Sequence, residues 1–243
     1  MFDLIGFDGD DTLWHNERLY QMGRQRFREI LKKYDLGGSA QEIDDRVHET
    51  EMRNLPHYGY GVMSFVLSLI ETSIELTGRR ISGDDIRGLL DLSKEMLSAE
   101  VHLFEGAGET LSRLSGEYTL MLITKGDLLH QQAKVNQSGL KRCFRHVEVV
   151  SEKSRETYAN LLSRHSIPPS RFLMVGNSMR SDVLPVLELG GWAVHIPALL
   201  SWVHEDVQPP GDLGERFLEL ESLAQVPGWL TGVSNRENPA RER

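Results

Sequence analysis

Cysteine is almost absent from this sequence, which has 243 residues and one cysteine, Cys143. One cysteine excludes a disulfide within the chain and suits a reducing compartment. Long hydrophobic runs are missing too, because no apolar stretch reaches the length of about 18 residues that crosses a bilayer. The acidic N-terminal segment lacks the basic and apolar parts of a signal peptide. We therefore expect a cytoplasmic protein with no membrane partner.

Positive charge is also in deficit, since 27 Lys and Arg face 36 Asp and Glu and give a net charge of −9. Nucleic acids and anionic membranes bind to basic faces, so neither is expected as a partner. A small anionic substrate remains compatible, because a metal ion or a few local cations can reverse the sign inside a pocket. The sequence leaves the oligomeric state open, with a homodimer as one arrangement.

Short apolar runs are typical of buried strands, and they lie at residues 4–7, 118–123, 147–150, 172–175 and 192–196. From residue 101 onward they alternate with segments of helical spacing, among them 182–189. Strands that alternate with helices form a parallel sheet with both faces covered. The sequence predicts an α/β protein with a Rossmann-like, three-layer parallel sheet core. Residues 216–220 could add an edge strand, and 222–225 begin a short helix or turn.

Residues 15–99 show only helical spacing and predict an all-helical domain inserted into that core. Ser82 and Asp85 have the spacing of a helix cap. The segment 54–61 is rich in Gly and Tyr and predicts a turn that is not regular helix. We assign residues 1–14 and 100–233 to the core, 15–99 to the helical domain and 234–243 to a disordered tail.

Polar side chains follow four of the predicted strands. Each of them alone is an ordinary cap or turn residue. The carboxyl ends of parallel strands meet at one edge of the sheet, where ligands bind in this architecture. Their joint placement therefore indicates one site, formed by Asp8, Asp10 and Thr12, by Thr124 and Lys125, by Lys153, and by Asn177 and Asp182.

The chain resembles the haloacid dehalogenase superfamily of hydrolases, most of which are phosphatases. The most specific match is the first motif, two Asp separated by one residue and followed by Thr after an apolar strand. The resemblance implies that the helical block is a mobile cap. The matching residues are Asp8-Gly9-Asp10-Asp11-Thr12, the strand Leu120–Thr124 with Gly126, Lys153, and the strand Leu173–Val175 with Gly176, Asn177 and Asp182.

The chemistry of these residues suits phosphoryl transfer. The Asp8 carboxylate could attack phosphorus directly and form an acyl phosphate. Asp10 would protonate the departing alkoxide and then deprotonate the hydrolytic water. Thr124 and Lys153 would hold the phosphoryl oxygens and neutralise their charge. Asp11 is expected to be only a solvated neighbour.

Mg²⁺ is the expected cofactor, since it prefers hard oxygen ligands. The predicted ligands are the Asp8 carboxylate, the Asp10 backbone carbonyl, and Asn177 and Asp182 after the fourth motif strand. Many phosphatases of the superfamily have Asp where this chain has Asn177, so one acidic ligand is replaced by a neutral amide. Asp182 would bind the ion directly or orient a metal-bound water.

Substrate contacts are predicted in two places. The turn of the helical domain would contact the leaving group, with an exposed turn of no such role as the equally weighted alternative. His15 and Arg180 lie near the site in the sequence, but no role is assigned to them. The predicted contacts are Thr12, Lys125 and Gly126 near the phosphoryl group and His57, Tyr58 and Tyr60 in the turn.

We predict a Mg²⁺-dependent phosphatase acting on a small-molecule phosphate monoester. A metal-independent 2-haloacid dehalogenase is the main alternative, which Asn177 favours and Asp10 disfavours, because a halide leaving group needs no acid. A phosphomutase would need to shield its acyl phosphate from water. A phosphate-accepting receiver protein and a non-catalytic binding protein are weaker alternatives.

Overall fold

The computed structural model describes residues 2–200, 202, 205, 207 and 211–237. Within them a six-stranded sheet has the order β3-β2-β1-β4-β5-β6. The pairs β1–β2, β1–β4, β4–β5 and β5–β6 are parallel, as the sequence predicted. The strands are β1 (Leu4–Phe7), β2 (Leu120–Lys125), β3 (His146–Val150), β4 (Phe172–Gly176), β5 (Trp192–His195) and β6 (Phe217–Glu219).

Helices connect these strands and form the insertion after β1. They are α1 (Glu17–Leu31), α2 (Ala40–Tyr58), α3 (Val62–Leu76), α4 (Gly83–Leu97), α5 (Ala107–Leu114), α6 (Leu128–Gln137), α7 (Arg155–Arg164), α8 (Leu184–Glu188) and α9 (Val226–Glu237). None of the described helices is long and apolar enough to cross a membrane.

The central strands are apolar on both faces because helices cover both sides of the sheet. Successive side chains point to opposite faces, and they divide between two buried clusters. Ile5 and Phe7 of β1 belong to one cluster, and Leu4 belongs to the other. The same alternation occurs in β2 and β4. This packing confirms the predicted α/β core.

The chain divides into two compact units. The described residues among 2–17, 101–124 and 132–237 form the α/β unit, and residues 18–100 and 125–131 form the helical unit. The helical unit has its own buried cluster, which includes Phe27, Val47, Phe65, Leu69 and Leu89. The sequence predicted that residues 125–131 belong to the core. In the structure, Lys125 Nζ lies 4.1 Å from the ring centroid of Tyr60, so this segment packs within the helical unit.

The prediction that residues 54–61 form a turn was wrong for residues 54–58, because α2 continues to Tyr58. Pro56 lies in the last turn of α2, so the helix lacks one backbone hydrogen-bond donor there. Gly59, with φ of 70°, ends the helix, and its N–H donates to the Leu55 carbonyl over 2.9 Å. The connection between α2 and α3 is therefore short.

Two other predictions need correction. The helix expected over 182–189 begins earlier, with one turn of π-helix at Met179–Val183 before α8. The disordered tail was predicted from residue 234, but α9 extends to Glu237. Residues 238–243 of the predicted tail lie outside the described residues.

The Ser82 cap of α4 is confirmed and gives a direct stability test. Ser82 Oγ accepts a hydrogen bond from the Asp85 amide over 3.1 Å. Ser82→Ala should lower the free energy of unfolding of the helical unit by about 1 kcal/mol, the usual cost of losing an N-cap. Chemical denaturation followed by circular dichroism measures this, and Ser98→Ala at the exposed end of α4 is the control. Equal stability of the two variants would contradict the cap.

Candidate active site

The centre of the site is the ammonium group of Lys153, which lies between two carboxylates. Its Nζ is 2.5 Å from Asp8 Oδ1 and 2.7 Å from Asp182 Oδ1. All three side chains are buried, with exposed fractions of 2%, 9% and 1% for Lys153, Asp8 and Asp182. Asp8 directly follows β1, and Asp182 lies in the turn beyond the neighbouring strand β4. The structure therefore brings these three predicted residues together.

The chain after β4 is built to place Asp182 against the strand end. The Ser178 amide donates to Asp182 Oδ2 over 3.0 Å, and Ser178 Oγ accepts from the Ser181 amide. A Cβ at Gly176 would lie 2.2 Å from Asp182 Oδ2, so only glycine fits there. With Lys153 on Oδ1 and Ser178 on Oδ2, both carboxylate oxygens are engaged. Asp182 therefore anchors Lys153.

Thr12 and Asn177 lie at the second oxygen of Asp8. Thr12 Oγ1 donates to Asp8 Oδ2 over 3.2 Å. With its amide nitrogen turned inward, Asn177 donates to Asp8 Oδ2 and Thr12 Oγ1, both over 3.2 Å, and to the Asp10 carbonyl over 3.3 Å. In the opposite orientation its Oδ1 faces the same oxygens and accepts from Thr12 Oγ1. The Asn177 side chain can thus present either its N–H donor or its oxygen to Asp8, Thr12 and the Asp10 carbonyl.

Asp10 is held by two residues that the sequence analysis missed, Lys134 and Trp14. Lys134 Nζ lies 2.6 Å from Asp10 Oδ1 and 2.8 Å from Oδ2. Trp14 Nε1 donates to Asp10 Oδ1 over 2.6 Å. Lys134 lies on α6 and belongs to no motif, so the sequence alone does not distinguish it from a surface lysine.

Asp11 is not the solvated residue that we expected. Its Oδ1 accepts from the amides of Asn16 and Glu17 over 2.9 and 3.1 Å, and its Oδ2 accepts from Glu17 over 3.0 Å. These are the amides at the start of α1, so Asp11 caps that helix. Its φ of 57° is left-handed, a region that Asp tolerates better than most residues. Asp11 therefore fixes the chain just beyond the first motif.

Thr124, at the end of β2, has a hydroxyl that is buried and makes no hydrogen bond to any described residue. Because β1 and β2 are adjacent parallel strands with Phe7 opposite Leu122, Thr124 lies near the carboxyl end of the strand next to the one that Asp8 follows. An unpaired buried hydroxyl is costly unless a ligand completes it. Thr124 is thus a candidate ligand contact.

The other predicted substrate contacts belong to the helical unit. Lys125 and Tyr60 contact each other there, and Gly126 has φ of 133°, which requires glycine. His57 and Tyr58 lie in the last turn of α2, where their rings are 6.4 Å apart. Tyr58 is 56% exposed. Their roles remain predictions.

The sequence predicts no role for His15 or Arg180. The His15 ring lies 3.9 Å from that of Phe104, and its amide donates to the His102 carbonyl over 3.0 Å. Arg180 is exposed within the π-helical turn. The structure thus gives His15 a packing contact.

The buried charges shift one another's pKa values. Burial raises the pKa of Asp8 from 3.8 to about 7; the Lys153 ammonium opposes this, and the Asp182 carboxylate adds to it. Burial alone would lower the pKa of Lys153, but the charges of Asp182 and Asp8 outweigh it and raise that pKa, so Lys153 is a cation. Burial likewise raises the pKa of Asp11 from 3.8 to about 6.

Two aspartates should therefore titrate well above the ordinary range in ¹³C NMR spectra of the carboxyl groups. We expect one near pH 7, which disappears in Asp8→Asn, and one near pH 6, which disappears in Asp11→Asn. Asp91→Asn on the surface should leave both signals. Because folding raises these pKa values, their contribution to stability is present below about pH 4 and is lost as the pH rises through 6 and 7. Titration of every aspartate below about pH 5 would contradict these shifts.

Comparisons with known proteins place this geometry in a family. The sequence model of haloacid dehalogenase-like hydrolases matches residues 2–190. No curated protein sequence matches the chain significantly. Among solved structures, a haloacid dehalogenase-like family hydrolase from Xanthomonas campestris is 37% identical, with a TM-score of 0.84 over 99% of this chain and 95% of that one.

Two more distant structures share the fold. A predicted phosphoglycolate phosphatase from Haemophilus somnus is 17% identical, with a TM-score of 0.64 over 94% of this chain and 98% of that one. A 2-haloacid dehalogenase from Pseudomonas syringae is 22% identical, with a TM-score of 0.62 over 96% and 100% of the two chains. One of these structures is thus named as a predicted phosphatase and the other as a dehalogenase. The matched residues and the similarity to the Xanthomonas protein show that this chain belongs to the haloacid dehalogenase-like hydrolases.

Proposed function

We propose that this hydrolase is a Mg²⁺-dependent phosphatase that cleaves a small-molecule phosphate monoester through an aspartyl-phosphate intermediate. The observation that carries the proposal is a pair of carboxylates with different partners. Asp8 is fixed by Lys153 at the end of β1, and Asp10, two residues on, is held separately by Lys134 and Trp14. One carboxylate can act as nucleophile while the other handles protons.

In the first step, an oxygen of Asp8 forms a bond to phosphorus as the bond from phosphorus to the ester oxygen breaks. Asp10 gives a proton to the departing oxygen, which takes the electron pair of the broken bond. Asp8 must be ionised to attack, and its pKa of about 7 means that the carboxylate form increases as the pH rises past neutrality.

In the second step, water attacks the phosphorus of the aspartyl phosphate. The bond from phosphorus to the Asp8 oxygen breaks, and its electron pair restores the carboxylate. Asp10 accepts a proton from the attacking water, which makes phosphate the product. The same side chain thus serves as acid in one step and as base in the next.

Two groups suit the negative charge of the phosphoryl group. Lys153 is a buried cation beside the nucleophile. Thr124 has a buried hydroxyl that lacks a hydrogen-bond partner among the described residues. Donors that are already in position where charge develops stabilise the transition state.

The residues present fit Mg²⁺ through oxygen atoms of mixed type. No group of three or more His, Cys, Asp or Glu side chains among the described residues could hold a metal, so the backbone and the amide must contribute. With its oxygen turned inward, Asn177 joins Asp8 Oδ2 and the Asp10 carbonyl in an oxygen cluster that a cation would stabilise. Asp182, engaged by Lys153, would act from outside the ligand set. When bound, Mg²⁺ would neutralise charge on the phosphoryl oxygens.

A 2-haloacid dehalogenase is the second candidate, and one observation favours it. With the Asn177 nitrogen turned inward, the Asp8 carboxylate is satisfied by Lys153, Thr12 and Asn177 alone. A nucleophile held in this way needs no metal. Asp10 argues against this reaction, because a halide leaves without a proton.

The two reactions are separated by assaying metal-free protein with 4-nitrophenyl phosphate and with 2-chloropropionate, each with and without added MgCl₂. We expect phosphate release that requires Mg²⁺ and no chloride release. Asp8→Asn should abolish turnover, while Asp91→Asn, which removes an exposed carboxylate of α4, should not change it. Chloride release from 2-chloropropionate, without phosphate release under any condition, would overturn the proposal.

A further inference from the structure

The carboxylate of Asp10 is partly exposed, yet three contacts hold it in place. Lys134 spans both of its oxygens at 2.6 and 2.8 Å, and the Trp14 indole adds a third contact at 2.6 Å. Lys134 also donates to Asn16 Oδ1 over 3.1 Å. The Lys134 ammonium group thus links Asp10 to Asn16, in the chain that follows the first motif.

The burial of Lys134 is unusual for a lysine. Its side chain is only 7% exposed, and lysines are almost never buried unless they are paired. Removing an ammonium from water costs several kcal/mol unless its partners compensate. The position of Lys134 therefore points to Asp10, its charged partner.

We propose that Lys134 is a positioning residue that aims the Asp10 carboxylate at the water in the second half-reaction. This inference rests on the proposed phosphatase function. In this role Lys134 acts only through Asp10, by fixing where the Asp10 oxygens lie when they accept the proton. Trp14 supports the same orientation from the other side.

An aryl phosphate substrate separates an effect of Lys134 on the second half-reaction from an effect on the first. The first half-reaction breaks the bond to the aryl oxygen, and 4-nitrophenolate is stable enough to leave without a proton from Asp10. The second half-reaction still needs Asp10 as base, while the bond from water oxygen to phosphorus forms and the bond to Asp8 breaks. A displaced Asp10 should therefore slow only the second half-reaction.

The test is rapid-quench kinetics with 4-nitrophenyl phosphate and MgCl₂. We expect Lys134→Met to release nitrophenolate in a burst of about one equivalent, followed by a steady state at least about tenfold slower than that of the wild type. Mass spectrometry should show the phosphoryl group accumulating on Asp8. Lys134→Arg keeps the charge and should restore part of the rate. Lys141→Met, which removes an exposed lysine bonded to Asn136, should behave as wild type.

A purely structural role of Lys134 would give a different pattern of burst and steady-state rates. If Lys134→Met slows the burst and the steady state equally, or changes neither, the positioning role is wrong. If that variant does not fold, Trp14→Phe and Lys134→Arg must show the same accumulation in smaller amount, and its absence from both overturns the proposal. A wild type that releases no nitrophenolate would instead refute the phosphatase function itself, so the two failures are distinguishable.

Discussion

The contact on which the candidate site depends is the buried ammonium group of Lys153 between the carboxylates of Asp8 and Asp182. Two buried carboxylates next to each other would repel and take up a proton. The cation allows Asp8 to ionise near neutral pH, although burial still raises its pKa to about 7. Removing the lysine would leave two uncompensated buried charges, a loss of about 3–5 kcal/mol in comparable buried pairs. The parallel sheet makes this contact possible, since β1 and β4 are neighbours.

Much of the α/β core could be predicted because its strands are buried on both faces and read as short apolar runs. The end of each run marks the edge of the sheet, so Asp8, Thr124 and Asn177 could be assigned to one edge from the sequence. The helix cap at Ser82 was also predictable, since it depends on residues only three positions apart. Features of this kind, which depend only on residues close in the sequence, are found in the structure as the sequence predicts them.

Contacts between distant residues could not be read in this way. Lys134 is paired with Asp10, a residue 124 positions away, and no local pattern distinguishes it from a surface lysine. The prediction that Asp11 is solvated was wrong, because its partners are the amides that begin α1, and they reach Asp11 only once the chain turns back. Helix α2 continues to Tyr58, into the segment expected to be a turn, even though Pro56 lies inside the helix and cannot donate a backbone hydrogen bond.

The central claim is that Asp8 attacks phosphorus and that water later attacks phosphorus as well. Turnover in H₂¹⁸O, followed by mass spectrometry of the peptide that contains Asp8 and of the released phosphate, tests this claim most directly. The phosphatase account predicts ¹⁸O in the phosphate and none in Asp8, because the Asp8 carbonyl carbon is never attacked. Incorporation of ¹⁸O into Asp8 would contradict it, since that label requires water to attack an aspartyl ester at carbon.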